Sequence, residues 1–304
     1  MRIVLLSGKG THYATRRLRQ AAKARGHLAR ALNPVKFVCR LEDGLATVYY
    51  YGRRFRAADV LIPRISVQTT EFGVAVVRQF ELAGFPLVNH HQAIALSRNK
   101  MRCLQQLAVS GVPVPRTFTT RSSLSLDEAI RYLGGWPVVA KVLCGTQGVG
   151  VVLVDRRETL ESLLQTIWSY KDNVLLQEYV RESKGEDIRV LVVGGRAVAA
   201  MRRTSRQGDF RSNIHRGGEA LPVDLTQEME DLAVRAAGAV GLDVAGVDLL
   251  ESERGLLVNE VNSSPGLEGI EGATGIDAAG EIIAFAEAVA QRHRDEPSRT
   301  ETSK

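Results

Sequence analysis

Across the first ninety residues, short apolar runs alternate with helix-spaced stretches, and no other feature constrains the fold as tightly. Arg2–Leu6 reads as a strand, and Ala14–Arg25 has helical spacing that stops at Gly26. His27–Ala31 and Asp59–Ile62 read as further strands, the second closed by Pro63. Thr70–Ala83 reads as a helix ended by Gly84, and Pro86–Val88 as a short strand. Strands separated by helices of this length predict a parallel sheet with helices on its faces. The turn Ser7-Gly8-Lys9-Gly10-Thr11 is either a plain tight turn or an anion seat at a helix start; it lacks the GxGxxG pattern.

A second unit begins near Ser97, with a helix over Asn99–Ser110 closed by Gly111-Val-Pro-Val-Pro115. Strand Arg116–Thr119, helix Ser125–Leu133, strand Val138–Val142, a glycine-rich loop, strand Val151–Val154, helix Glu158–Tyr170 and strand Val174–Glu178 follow. Beyond Tyr179 the pattern changes to a hairpin about Gly194-Gly195 and an arginine-rich loop. Helix Thr226–Val240, strands Val244–Leu250 and Leu256–Val261 and helix Ala278–Gln291 complete it. The expectation is an α/β and α+β chain of three lobes: residues 1–96, 97–180 and 181–291, with a disordered tail at 292–304. The functional cleft is expected between the last two lobes.

Hydrophobic residues make up 44% and charged residues 24%, as in globular chains, and no run approaches the roughly 18–20 apolar residues of a membrane span. The three cysteines are scattered without metal spacing, so a reducing cytoplasm is expected. The net charge of +6 fits an anionic substrate or ribosome proximity, and equally fits no special partner.

Four constellations carry chemistry. The first is Asp248 on one strand with Glu260 and Asn262 on the next, tightly connected through Ser252-Glu-Arg-Gly255. Antiparallel pairing brings the three together, either around a hard cation such as Mg²⁺ or on an edge strand whose acids meet solvent or arginines. The second is Lys141 before Gly145-Thr146-Gln147-Gly148-Val149-Gly150, a hairpin that either folds over phosphates or is a flexible turn. Its position between two strands excludes a P-loop. The third is Gln177-Glu178-Tyr179-Val180 with Glu186-Asp187: adenine and ribose contacts, or an exposed hinge with solvated acids. The fourth is the run from Arg202 and Arg203 to Arg211-Ser212-Asn213 and His215-Arg216. It suits carboxylates and phosphates, with RNA as the rival; a single aromatic, Phe210, weakens the rival.

Their order resembles one ATP–Mg²⁺ site. GTQGVGVVLV, LQEYV, DIRVLVVGG, GDFRSNIHRGG, DVAGVDLL and NEVNSSPGLEGIE look like the ATP-grasp superfamily, and closely like its RimK-type ribosomal protein S6 modification glutamate ligases. The likeness is nearly full-length; segment Lys36–Ala46 and the tail fall outside it. It implies a preATP-grasp lobe followed by central and C-terminal ATP-grasp lobes, with ATP between the last two. It implies Lys100 and Lys141 on phosphates, Glu178 and Tyr179 at adenine, Asp187 on ribose and Arg211, Ser212 and Asn213 lining the nucleotide–substrate site. Asp248, Glu260 and Asn262 would bind two Mg²⁺ (or Mn²⁺) ions.

The implied reaction converts a carboxylate to an acylphosphate, which an amine attacks; Arg203 or Arg211 would steady the oxyanion. The implied donor is glutamate, and the acceptor the C-terminus of ribosomal protein S6 or an oligoglutamate. The implied assembly is a homo-oligomer, a tetramer in the family. Related ligases acting on a cofactor or an amino-group carrier protein share the ATP machinery. A non-catalytic, ribosome-associated ATP-binding protein is the alternative of another class.

Overall fold

The computed structural model describes residues 1–66, 69–142, 150–169, 173–183, 185–205 and 218–295. The N-terminal alternation forms the expected parallel sheet. β1 (Arg2–Ser7) lies between β2 (Leu28–Leu32) and a later strand, β6 (Val60–Arg64). A three-stranded antiparallel sheet of β3 (Phe37–Glu42), β4 (Leu45–Tyr50) and β5 (Arg53–Arg54) is inserted between β2 and β6. Its turn is Asp43-Gly44, with Gly44 at φ +74°, where a side chain would be strained. Pro86–Val88 contributes only one bridge, Leu61 to Leu87, in place of a strand. α1 (Tyr13–Ala24) and α2 (Thr70–Leu82) cover this unit through Leu18, Val76, Val77 and Phe80, all fully buried.

Two helices lead out of it, α3 (His91–Arg98) and α4 (Lys100–Val109), separated by Asn99. The Asn99 side chain caps α4, accepting from the Arg102 N–H at 3.1 Å, and so fixes Lys100 as the first helical residue. A four-stranded antiparallel sheet follows, in the order β7 (Thr117–Thr119), β10 (Val174–Glu178), β8 (Val138–Val142), β9 (Val151–Val154). α5 (Leu126–Tyr132) and α6 (Arg157–Ser169) pack on it.

The largest sheet runs β13 (Glu219–Pro222), β12 (Arg196–Thr204), β11 (Glu186–Val193), β14 (Val244–Ser252), β15 (Gly255–Asn262). Ile188, Val190, Val192, Val247 and Leu249 pack against Leu232, Ala233, Ala236 and Val240 of α7 (Gln227–Val240). On the opposite face Leu191, Val193 and Val244 join Ile3, Leu5 and Val88 of the N-terminal unit. α8 (Glu268–Thr274) and α9 (Ala278–Asp295) add Ile270, Ile282 and Ile283 to that core. α9 continues four residues past the expected end at Gln291, because Gln291 Nε2 donates to Asp295 Oδ1 at 2.9 Å and Arg294 to Gln291 Oε1 at 2.6 Å. That corrects the expected tail: residues 292–295 are helical, and 296–304 lie outside the described residues.

Among the described residues no helix is long and apolar enough to cross a membrane.

Candidate active site

The register of the five-stranded sheet builds the site. Arg189 on β11 lies opposite Asp248 on β14, and Asp248 lies opposite Glu260 on β15. Asp187, two residues before Arg189 and on the same face, lies opposite Arg203 on β12. Charged residues occupy this face because it is not the one that packs on α7.

β15 has a bulge: Leu249 pairs with Val258 and Asp248 with Glu260, so Asn259 is the extra residue. The bulge lets Val258 and Val261, three apart, both join the α7 core while Glu260 and Asn262 stay on the charged face. It also presents Asn259 to the central sheet, where its Oδ1 accepts from Lys141 Nζ at 2.8 Å.

Asp248 is 3% exposed. Arg189 Nε and Nη2 donate to its two oxygens at 2.7 Å each, and Arg203 Nη2 lies 2.9 Å from Oδ2. Arg203 also forks onto Asp187 with two bonds of 2.6 Å. The quartet is a buried, mutually compensated network of two acids and two arginines. Burial opposes the Asp248 charge, yet Arg189 and Arg203 outweigh it and hold the carboxyl below its ordinary range. Burial likewise opposes the Arg203 charge, and Asp248 and Asp187 overcome it, raising its pKa. Asp248 thus meets two arginines, whereas Glu260 meets a lysine.

Glu260 faces a lysine instead: Lys100 Nζ donates to Oε1 at 3.3 Å. Lys141 Nζ donates to Gln177 Oε1 at 2.5 Å, and Gln177 Nε2 in turn to Thr117 Oγ1 at 3.1 Å. Burial pushes Lys141 down to about 8; Glu260, Asp248 and Asp187 oppose that shift and Lys100 adds to it. Lys100, Lys141, Asp187, Asp248 and Glu260 therefore share one electrostatic neighbourhood.

Glu178 stands apart, its Oε1 accepting from the Arg116 N–H at 2.8 Å and from Arg254 Nη2. Tyr179 follows it, partly exposed, beyond the end of β10. Glu186 pairs with Arg202 at 3.1 Å. Gly145, Thr146, Gln147 and Gly148, and likewise Arg211, Ser212 and Asn213, lie outside the described residues.

Asn259 and Arg189 were not singled out from sequence as site residues. Two consecutive polar residues in an apolar strand, Asn259-Glu260, signal a bulge. Arg189, alternating with Asp187 inside the apolar run of β11, signals a charged strand face.

Among the described residues no three His, Cys, Asp or Glu side chains form a metal cluster, so any ion here relies on the mixed set of two carboxylates and an amide. The donor types suit magnesium, a hard ion that takes few protein oxygens, and at Asp248 such an ion would share oxygens already held by Arg189 and Arg203. The buried Asn262 Nδ2 has no hydrogen-bond partner among the described residues. Asn262 Oδ1 is the atom of that amide a hard cation would take, while Nδ2 remains a donor.

This combination of sheets and site defines a class of enzyme. Residues 97–286 match the RimK-like ATP-grasp domain, and residues 1–94 the RimK PreATP-grasp domain. The chain belongs to the RimK-like ATP-grasp family.

It is 46% identical over 294 residues to a probable alpha-L-glutamate ligase of Thioalkalivibrio sulfidiphilus, covering 97% of this chain and 98% of that one. It is also 46% identical over 287 residues to a ribosomal protein bS6–L-glutamate ligase of Salmonella paratyphi B, covering 94% and 96%. The fold resembles the ATP-grasp ligase PsnB, solved with a phosphomimetic variant of its minimal precursor, Mg and ADP. The TM-score is 0.71 at 21% identity, covering 95% of this chain and 98% of that one.

Proposed function

We propose that this chain joins glutamate to a C-terminal carboxylate in an ATP-dependent ligation that releases ADP and phosphate. The acceptor is ribosomal protein S6 or a growing α-linked glutamate oligomer. The observation that carries this reading is the gathering of Lys100, Lys141, Asp187, Asp248 and Glu260 in one charged neighbourhood. The 46% identity to relatives named as glutamate ligases supports the donor.

The chain's residues act mainly by position and charge. Lys141, held by Gln177 and Asn259, and Lys100, fixed at the start of α4, meet phosphate oxygens. Gly145, Thr146, Gln147 and Gly148, outside the described residues, keep the phosphate role that the family pattern gives them. Gln177, Glu178 and Tyr179 border the adenine; Asp187 faces the ribose from its bond with Arg203. Asp248, Glu260 and Asn262 would hold two magnesium or manganese ions, which when bound neutralise phosphate charge and polarise the transferring group.

A carboxylate is a poor electrophile, so the γ-phosphoryl passes to the acceptor carboxylate, giving an acylphosphate. The glutamate amine then attacks its carbonyl carbon, and phosphate leaves with the carbon–oxygen electron pair. Arg203, braced by two carboxylates, supports the negative charge developing on the carbonyl oxygen; Arg211, with Ser212 and Asn213 as nucleotide–substrate contacts, would share that role by the family pattern. The reading sets the reaction in the cytoplasm near the ribosome, with a homo-oligomeric enzyme whose net charge of +6 favours that approach.

The test is ADP release with ATP, Mg²⁺ and glutamate. Glutamate is expected to stimulate release, and Glu260→Ala to cut it by about 100-fold or more. Full release from Glu260→Ala would remove the site assignment.

A further inference from the structure

Two arginines at the same junction have no part in that scheme. Arg64 ends β6, and Arg98 ends α3. Neither meets a carboxylate among the described residues. Arg64 Nη2 donates to the carbonyls of Pro265 at 2.7 Å and Ser264 at 3.5 Å, and Arg98 Nη2 to the carbonyl of Ile65. Burial, with Arg98 nearby, pushes Arg64 down to about 10. Burial also lowers Arg98, against the pull of Glu260.

Unpaired polar atoms collect in the same place. Five buried side-chain nitrogens or oxygens lack a partner among the described residues, and four belong here: Arg98 Nε, Asn262 Nδ2, Ser263 Oγ and Ser264 Oγ. Such atoms in a native fold call for a partner. Water satisfies a hydroxyl, but does not offset two guanidinium charges drawn close together.

The charges around them indicate what does. Asp187 and Asp248 are balanced by Arg203 and Arg189. Glu260 then stands among Lys100, Lys141 and Arg98, with Arg64 beside Arg98. The two lysines are taken up by nucleotide phosphates in the reading above. Arg64, bonded to the Ser264 and Pro265 carbonyls, Arg98 near it and two hydroxyls are left next to Asn262. Guanidinium forks match carboxylates bidentately.

The substrate that arrives by its amine must be held by groups that do not react, and a dicarboxylic amino acid brings two carboxylates for that purpose. Resting on the ligase reading, the geometry points to Arg64 and Arg98, with Ser263 and Ser264, as the subsite that holds the carboxylates of the incoming dicarboxylic amino acid.

Calorimetry on the full chain, with a non-hydrolysable ATP analogue and Mg²⁺ present, tests this by titrating glutamate, glutarate (the dicarboxylate without an amine) and inorganic phosphate. Wild type is expected to bind glutamate and glutarate, and Arg64→Gln and Arg98→Gln each to weaken both by about tenfold or more. Affinity for the ATP analogue is expected to stay unmoved, and Arg64→Lys to recover part of the loss, since it keeps the charge without the fork.

Glutamate binding unchanged in both glutamine variants overturns the subsite. So does preference for phosphate over glutarate, or a parallel loss of nucleotide affinity. Wild-type ADP release separates this from the ligase reading. Glutamate binding without glutamate-dependent turnover sinks the ligation and leaves the subsite standing. Turnover whose glutamate KM ignores both arginines does the reverse.

Discussion

Lys141 is the residue through which the electrostatics of the site can be followed in solution. Its pKa of about 8 means that the free protein loses this charge as pH rises past that value. Nucleotide phosphates need the charged form. Affinity for an ATP analogue is therefore predicted to hold steady below pH 8 and to weaken by up to about tenfold per pH unit above it. Lys141→Arg should abolish the break, because a guanidinium stays charged; fluorescence titration across pH checks both, and a flat wild-type profile contradicts the assignment. Asp248 tests the buried quartet. Asp248→Ala leaves Arg189 and Arg203 short of a carboxylate, and is expected to cost about 3–5 kcal/mol in urea unfolding. At this scale the pairing of Asp248 with Glu260 was legible in sequence, because a lone acid in an apolar strand conflicts with its surroundings. Arg64 and Arg98 were not, because an arginine after a strand or at a helix end looks like any solvated charge until burial is known.

At the scale of elements, the bulge in β15 and the loop after it set the geometry. Gly246 on β14 lies opposite Asn262, and a Cβ there would stand 2.9 Å from Pro265 Cβ. Gly246→Ala must therefore push the Asn262–Pro265 loop outward. A loss of about 1–3 kcal/mol in unfolding free energy is predicted, with a rise in glutamate KM alongside. An unchanged KM would show that this loop does not border the substrate. Asn89 ties the same region to the N-terminal unit. Its Oδ1 accepts from the Asp243 and Val244 N–H groups at 2.9 and 3.0 Å, and its Nδ2 donates to the Val244 and Ser263 carbonyls at 2.7 and 3.0 Å. Strand and helix periodicity foretold the parallel sheet, the Gly194-Gly195 hairpin and the β14–β15 pair, since those depend on local pattern. The β3–β5 insertion was missed, although Asp43-Gly44 is a hairpin signal, because the exposed Val38, Leu41 and Leu45 blur its alternation. The bulge was missed because one inserted residue changes which side chains face the core without altering composition.

In the whole molecule, three sheets meet beside the site residues. Lys141 from the central sheet bonds Asn259 of the C-terminal sheet, and Arg64 of the N-terminal sheet bonds the loop that follows β15. The order of motifs along the chain was legible, and with it the family. The junction was not, since Arg64 and Pro265 lie 201 residues apart in sequence. Amide-bond formation to glutamate at this junction is read out by intact mass spectrometry. The chain is incubated with ATP, Mg²⁺ and glutamate, with and without ribosomal protein S6, beside a panel of other amino acids. A ladder spaced by one glutamate residue, on S6 or as free oligomers, is the predicted result. No added mass on any acceptor with any amino acid, from protein that binds ATP, would contradict the account.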